Sequence, residues 1–129
     1  MALKISDLSV GDWVEYEGLH YPITFVGYGE GGNGSLVNLI RPDLSCFTCK
    51  ISDIHPIPIT PEMLEANGWQ RNEEDEYMEY YGDPTSGIAH TKGTYRYQLE
   101  APGVSIVCYF VHKLQHALRL AEVDKEINL

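Results

Sequence analysis

The chain has 129 residues, 43% apolar and 22% charged, the balance of one ordinary globular domain rather than of a disordered segment. Nineteen Asp and Glu against nine Lys and Arg leave a formal charge of −10. That balance speaks against a surface built to wrap nucleic-acid phosphates and against docking on anionic lipid, since both need electropositive patches. Three cysteines, two of them three positions apart, outline no disulfide framework. Residues 1–10 hold no apolar run of signal length, and no stretch reaches bilayer length, so a cytoplasmic protein without a membrane partner is expected.

In chain order, residues 6–8 read as a helical turn, and Val10-Gly11-Asp12 leads into a strand at 13–16. Alternation there puts Trp13 and Glu15 on one face and Val14 and Tyr16 on the other. Glu17-Gly18 turns the chain into a strand at 20–26, where Pro22 points to an edge or a bulge. Residues 27–34 hold five glycines and form a loop, and Asn33-Gly34-Ser35 reads as a turn rather than a glycan acceptor. Strands at 36–40 and 46–51 flank an Arg41-Pro42-Asp43 turn. Ser52-Asp53-Ile54 is a short turn, and Ile57 and Ile59 fit a last short strand. Five short strands with closely spaced turns predict a small SH3-like β-barrel over residues 1–58.

Residues 59–129 form the second half. A helix is predicted over 61–67: Thr60 is a good N-cap, Pro61 suits the first turn, and Glu62 favours its positive end. Gly68 fits a left-handed C-terminal cap, with Trp69 folding back over Met63 or Leu64. An acidic connector at 72–76 leads to strands near 77–81, 88–91, 94–100 and 104–109. Val111, Leu114, Leu118 and Ala121 then recur at helical spacing, with Ala117 in the same arc. His112, His116 and Arg119 fall nearly opposite, and Leu120 also lies off the arc, an apolar residue that calls for cover from the first half or from another chain. The predicted class is α+β: the barrel, a helix, an antiparallel sheet and a C-terminal helix, closing on one shared core.

Few constellations carry chemistry. His112 and His116 have the i, i+4 spacing of two zinc ligands, but Lys113 stands where a metalloprotease needs its glutamate base. A third ligand would have to be guessed among His90, Glu122 and Asp124. Cys46-Phe47-Thr48-Cys49 is a lone CxxC inside a strand, where positions three apart face opposite ways. Gly27-Tyr28-Gly29-Glu30-Gly31-Gly32 spells GxGxxG but opens no helix, so it lacks the geometry that holds a dinucleotide. The acids at 73–76 read as a solvated loop. No complete catalytic set, metal site or cofactor site emerges. Six of the nine tyrosines lie between Tyr77 and Tyr109, in residues that suit both sheet packing and interfaces. The candidate interaction surface comprises His112, His116, Arg119, Leu120, Tyr95 and Tyr97.

Three stretches carry a resemblance: Val10-Gly11-Asp12-Trp13-Val14, then Ile54-His55-Pro56-Ile57-Pro58-Ile59-Thr60-Pro61-Glu62-Met63-Leu64 with Asn67-Gly68-Trp69, then Val111-His112-Lys113-Leu114-Gln115-His116-Ala117-Leu118. In this order they resemble a group of small uncharacterised proteins from gut anaerobic bacteria, their phages and mobile elements. The group has no assigned activity, so the resemblance implies an accessory role in a mobile-element context and carries over no catalytic residue. Three readings follow. The first is a non-enzymatic protein-interaction module with an unidentified protein partner or a second copy of itself. The second is an acidic decoy of a nucleic-acid-binding protein. The third is a metal-dependent hydrolase using His112 and His116. Direct nucleic-acid binding is the weakest expectation.

Overall fold

A computed structural model of the chain describes residues 3–28 and 35–129. It is an α+β protein of two antiparallel sheets and two α-helices, divided into two compact units, Met1–Ile57 with Leu129 and Pro58–Asn128.

The first unit contains β1 (Trp13–Tyr16), β2 (Leu19–Tyr28), β3 (Ser35–Ile40), β4 (Cys46–Lys50) and β5 (Ile54–His55), in the order β4-β3-β2-β1-β5. The ten-residue β2 serves two partners. Its start pairs with β1 (Tyr16 opposite Leu19, Trp13 opposite Pro22), and its end pairs with β3 (Ile23 opposite Leu39, Val26 opposite Val37). The register slips between Ile23 and Phe25, so the irregularity expected at Pro22 falls just after it. Alternation sends Val14, Ile23, Val37, Leu39, Cys49 and Ile54 into one core with Leu8. Burying each large aliphatic side chain there is worth roughly 1.5–3 kcal/mol. Tyr16, Tyr21 and Phe47 pack against that core and against one another. The ladder is open, ending at β4 and β5. The last strand is Ile54–His55 rather than a strand at Ile57 and Ile59, because Tyr16 opposite Ile54 is the pairing that buries Ile54. Ile57 and Ile59 are buried too, outside any strand.

The second unit runs α1 (Pro61–Ala66), β6 (Gln70–Glu74), β7 (Met78–Gly82), β8 (Gly87–Thr91), β9 (Tyr97–Ala101), β10 (Val104–Cys108) and α2 (Val111–Leu120). Its sheet is a simple meander, β10-β9-β8-β7-β6. Thr60 caps α1 as expected, its Oγ1 accepting from Met63 N at 3.1 Å. Gly68 ends the helix at φ +95°, a conformation costly for a residue with a Cβ, and Trp69 N bonds back to Leu64 O. Trp69 itself is fully buried. The expected acidic connector is instead the edge strand β6. All five of its residues are exposed, and its ladder with β7 is what extends it. Tyr81, Ile88, Tyr97, Leu99 and Cys108 point inward, and α2 packs over β9 and β10 through Val111, Leu114, Ala117 and Leu118.

The segment after α2 has no regular structure but is tied down. Lys125 Nζ lies 2.5 Å from Asp83 Oδ2 and 4.4 Å from the centroid of Trp69. Asn128 N donates to Asn67 Oδ1, and Asn67 Nδ2 donates to Asn128 O. Among the described residues no helix is long and apolar enough to cross a membrane.

Candidate functional site

The residues picked out in the sequence do not form one surface. Leu120 is 75% exposed and Tyr95 72%. Arg119 is exposed and His116 half-buried. His112 and Tyr97 lie inside and are corrected here as surface candidates, at 1% and 3% exposure. Tyr97 belongs to the inward row of β9, where alternation places it beside Leu99. His112 is enclosed although it lies off the apolar arc of α2, since the buried face of the helix is wider than that arc and takes in Gln115 as well. Its ring stacks on Phe110 and meets His116 edge-on at 5.8 Å between centroids. Leu120 is not covered by the chain.

Among the described residues no group of three or more His, Cys, Asp or Glu side chains is placed to hold a metal. The guessed ligands His90, Glu122 and Asp124 do not gather around His112 and His116. The two cysteines of the CxxC face opposite ways, Cys46 exposed and Cys49 buried, as strand alternation requires. Burial and then Asp53 push the Cys49 thiol up, away from the reactive thiolate. Residues 29–34 of the GxGxxG loop lie outside the described residues.

The acidic run has local work. Glu74 pairs with Lys92 at 2.9 Å, and that hydrogen bond holds its carboxyl below the usual range. Asp75 Oδ1 accepts from Tyr77 N and Met78 N, both at 2.8 Å, which forms the β6–β7 turn and lowers its pKa.

A polar cluster that the sequence did not reveal sits at one end of the inward face. Tyr81 OH donates to Glu79 Oε2 at 2.5 Å, and Arg71 Nη1 lies 3.6 Å from the same oxygen. His90 stacks face to face on Tyr97 at 4.1 Å, its Nε2 donates to Thr94 O at 2.9 Å, and its Nδ1 stands 3.9 Å from Glu79 Oε1. Burial, then Glu79, pushes the Tyr81 phenol well above its usual range; burial, Glu79 and Glu62 push Tyr97 up to about 12. Both phenols therefore stay protonated, and Tyr81 serves as a donor. The cluster satisfies a carboxylate at the edge of the core.

The more exposed feature is the end of the second sheet where the β6–β7 and β8–β9 turns meet. Lys92 N bonds to Tyr77 O at 2.9 Å, which ties the two turns together. Tyr77 (69% exposed), Tyr95 (72%) and Tyr109 (48%) all project from this end. Tyr109 follows the Cys108–Tyr97 pair, so it lies beside the start of β9. At about 4.8 Å per strand, the row from β7 to β10 spans roughly 14 Å. The turns are firm: Thr94 Oγ1 donates to Thr91 O and accepts from Arg96 N. Of these tyrosines only Tyr95 was singled out from the sequence; Tyr77 and Tyr109 were legible only as members of a tyrosine-rich region. Comparison with protein-family models, curated proteins and solved structures finds no match for this chain.

Proposed function

We propose that the protein is a non-enzymatic interaction module that contacts a protein partner through the tyrosine end of its second sheet. The observation that carries this reading is three exposed tyrosines at one end of the sheet, Tyr77 and Tyr95 on hydrogen-bonded turns and Tyr109 just after β10. Tyrosine offers a large contact area and a polar tip at low entropic cost, and firm turns reduce what binding must order. The first unit is read as an SH3-like fold in open form. Its strand order, the β2 shared between two ladders and the 3-10 turn Ile51–Asp53 before β5 support that reading. An accessory role of phage or mobile-element type fits a module of this kind.

The decoy reading has less support, since Glu74 and Asp75 are engaged locally and are not free to imitate phosphates. The hydrolase reading has less again, because His112 is buried and, among the described residues, no third ligand joins the pair.

The test is affinity capture with crosslinking from native host cells, comparing the natural chain with a Tyr77→Ser, Tyr95→Ser double variant. Both side chains are more than two-thirds exposed, so the variant is expected to fold normally. A protein recovered by the natural chain and lost by the variant supports the proposal. Equal recovery by the variant, or a monomer that recovers nothing, overturns it.

A further inference from the structure

The outward face of the second sheet carries an open groove of about 520 Å³, separate from the tyrosine end. Its floor is made by Gly87 and Ala89, and the Asn72 side chain lies over Gly82 on the β6 side. The register sets Tyr80 opposite Ala89 on the β7 side and Glu100 opposite Gly87 on the β9 side, so these two side chains form the walls.

Two features of the groove are not explained by the fold. The first is Gly87. Its φ lies outside the left-handed region, and a Cβ there would meet Tyr81 O at 3.6 Å and Glu100 Cβ at 3.9 Å, ordinary contact distances. Neither backbone nor packing demands glycine, and glycine weakens a strand. What it does is keep the floor low. The second is Glu100. Its Oε1 accepts from Gln98 Nε2 at 2.9 Å and from Ser105 Oγ at 3.2 Å, while Arg96 Nη2 holds Gln98 Oε1 at 3.2 Å. The carboxylate is thus aimed by neutral donors. Among the described residues its Oε2 makes no hydrogen bond, and no basic side chain pairs with it.

We propose that this groove receives the guanidinium of an arginine side chain from a basic partner. The planar cation lies against the Tyr80 ring, donates to Glu100 Oε2, and runs its aliphatic stem over Gly87 and Ala89. Charge complementarity argues for this occupant: among the described residues the carboxylate has neutral donors but no basic partner, and a chain of −10 attracts basic surfaces. Planarity argues for arginine over lysine: a flat guanidinium can lie face to face on a ring and donate along its edge, whereas an ammonium is a compact point charge. The proposal rests on the interaction reading only for the source of the arginine, and its test needs no partner, so failure here leaves the tyrosine end untouched.

The experiment is an amide NMR titration of the full chain with Nα-acetyl-arginine amide, with the citrulline analogue as the uncharged match in shape. Saturable shifts centred on Gly82, Gly87, Ala89 and Glu100, on the order of millimolar for so small a probe, are expected with arginine and not with citrulline. Glu100→Gln is expected to weaken binding about tenfold or more. Gly87→Val, whose Cβ meets only ordinary contact distances and whose methyls would fill the groove, is expected to keep the folded spectrum and abolish the shifts. Equal response to citrulline, shifts centred elsewhere, or full binding by a folded Gly87→Val variant would overturn the proposal.

Discussion

Lys125 and Asp83 meet at 2.5 Å across 42 positions of sequence, with side chains only 17% and 3% exposed. Burial alone would raise the Asp83 pKa, but Lys125 and the hydrogen bonds from Thr85 and Ser86 more than offset it and hold the carboxyl at about 2, against an ordinary 3.8. A carboxyl depressed in the folded state stabilises fully above pH 3.8, and that stability is lost as pH falls through about 2. The contribution is on the order of 2 kcal/mol. Asp83→Asn should lower stability in urea denaturation at pH 7 by about that much and flatten the acid loss between pH 4 and 2; an unchanged midpoint would contradict the role. Tyr97 works in the opposite sense. Its raised pKa makes its contribution complete below pH 10 and lost as pH rises through about 12. Leu44 offers a stabilising change. It is 77% exposed with φ +70°, a strained conformation for leucine, so Leu44→Gly should raise stability by up to about 1 kcal/mol, measured by the denaturation midpoint.

At the scale of elements, local chemistry was legible where one short stretch contains its own cause. Thr60, Pro61 and Gly68 announce α1, and Thr60→Ala should cost about 1 kcal/mol by removing the acceptor for Met63 N, measured by thermal unfolding. The alternation of Tyr95, Tyr97 and Leu99 and of Val104, Ile106 and Cys108 announced β9 and β10 for the same reason, although β9 starts only at Tyr97 and Tyr95 lies in the exposed turn before it. Elements that depend on a distant partner were harder to read. Residues 70–74 are strand only because β7 lies beside them, and nothing in Gln-Arg-Asn-Glu-Glu favours extension on its own. β5 is two residues long and is defined by Glu15 and Tyr16 in β1. A helical wheel ranks His112 by its place on α2, but its burial depends on what encloses the helix. The Glu79 cluster draws on β6, β7, β8 and β9 and has no signature in any one of them.

For the whole molecule, the charge of −10 has a more particular meaning than solubility. Residues 71–83 hold six acids and one base, so half of the net charge lies in the β6–β7 hairpin and the residue after it, four of the acids in the edge strand and its turn. That edge is protected against pairing with another copy by its charges and by the bulge between Arg71 and Glu73. Tyr77 and Tyr95 project beside it, which leaves an aromatic end bordered by carboxylates. The candidate surface was only partly legible in the sequence, because tyrosine serves strands and interfaces alike and only the fold separates Tyr95 outside from Tyr97 inside. The most direct test of the central claim is amide hydrogen exchange on the full chain, free and bound to a captured partner. Added protection at residues 75–80, 92–96 and 108–110 is the expected result. Protection confined to the first unit, or to α2 around His116 and Leu120, would contradict it.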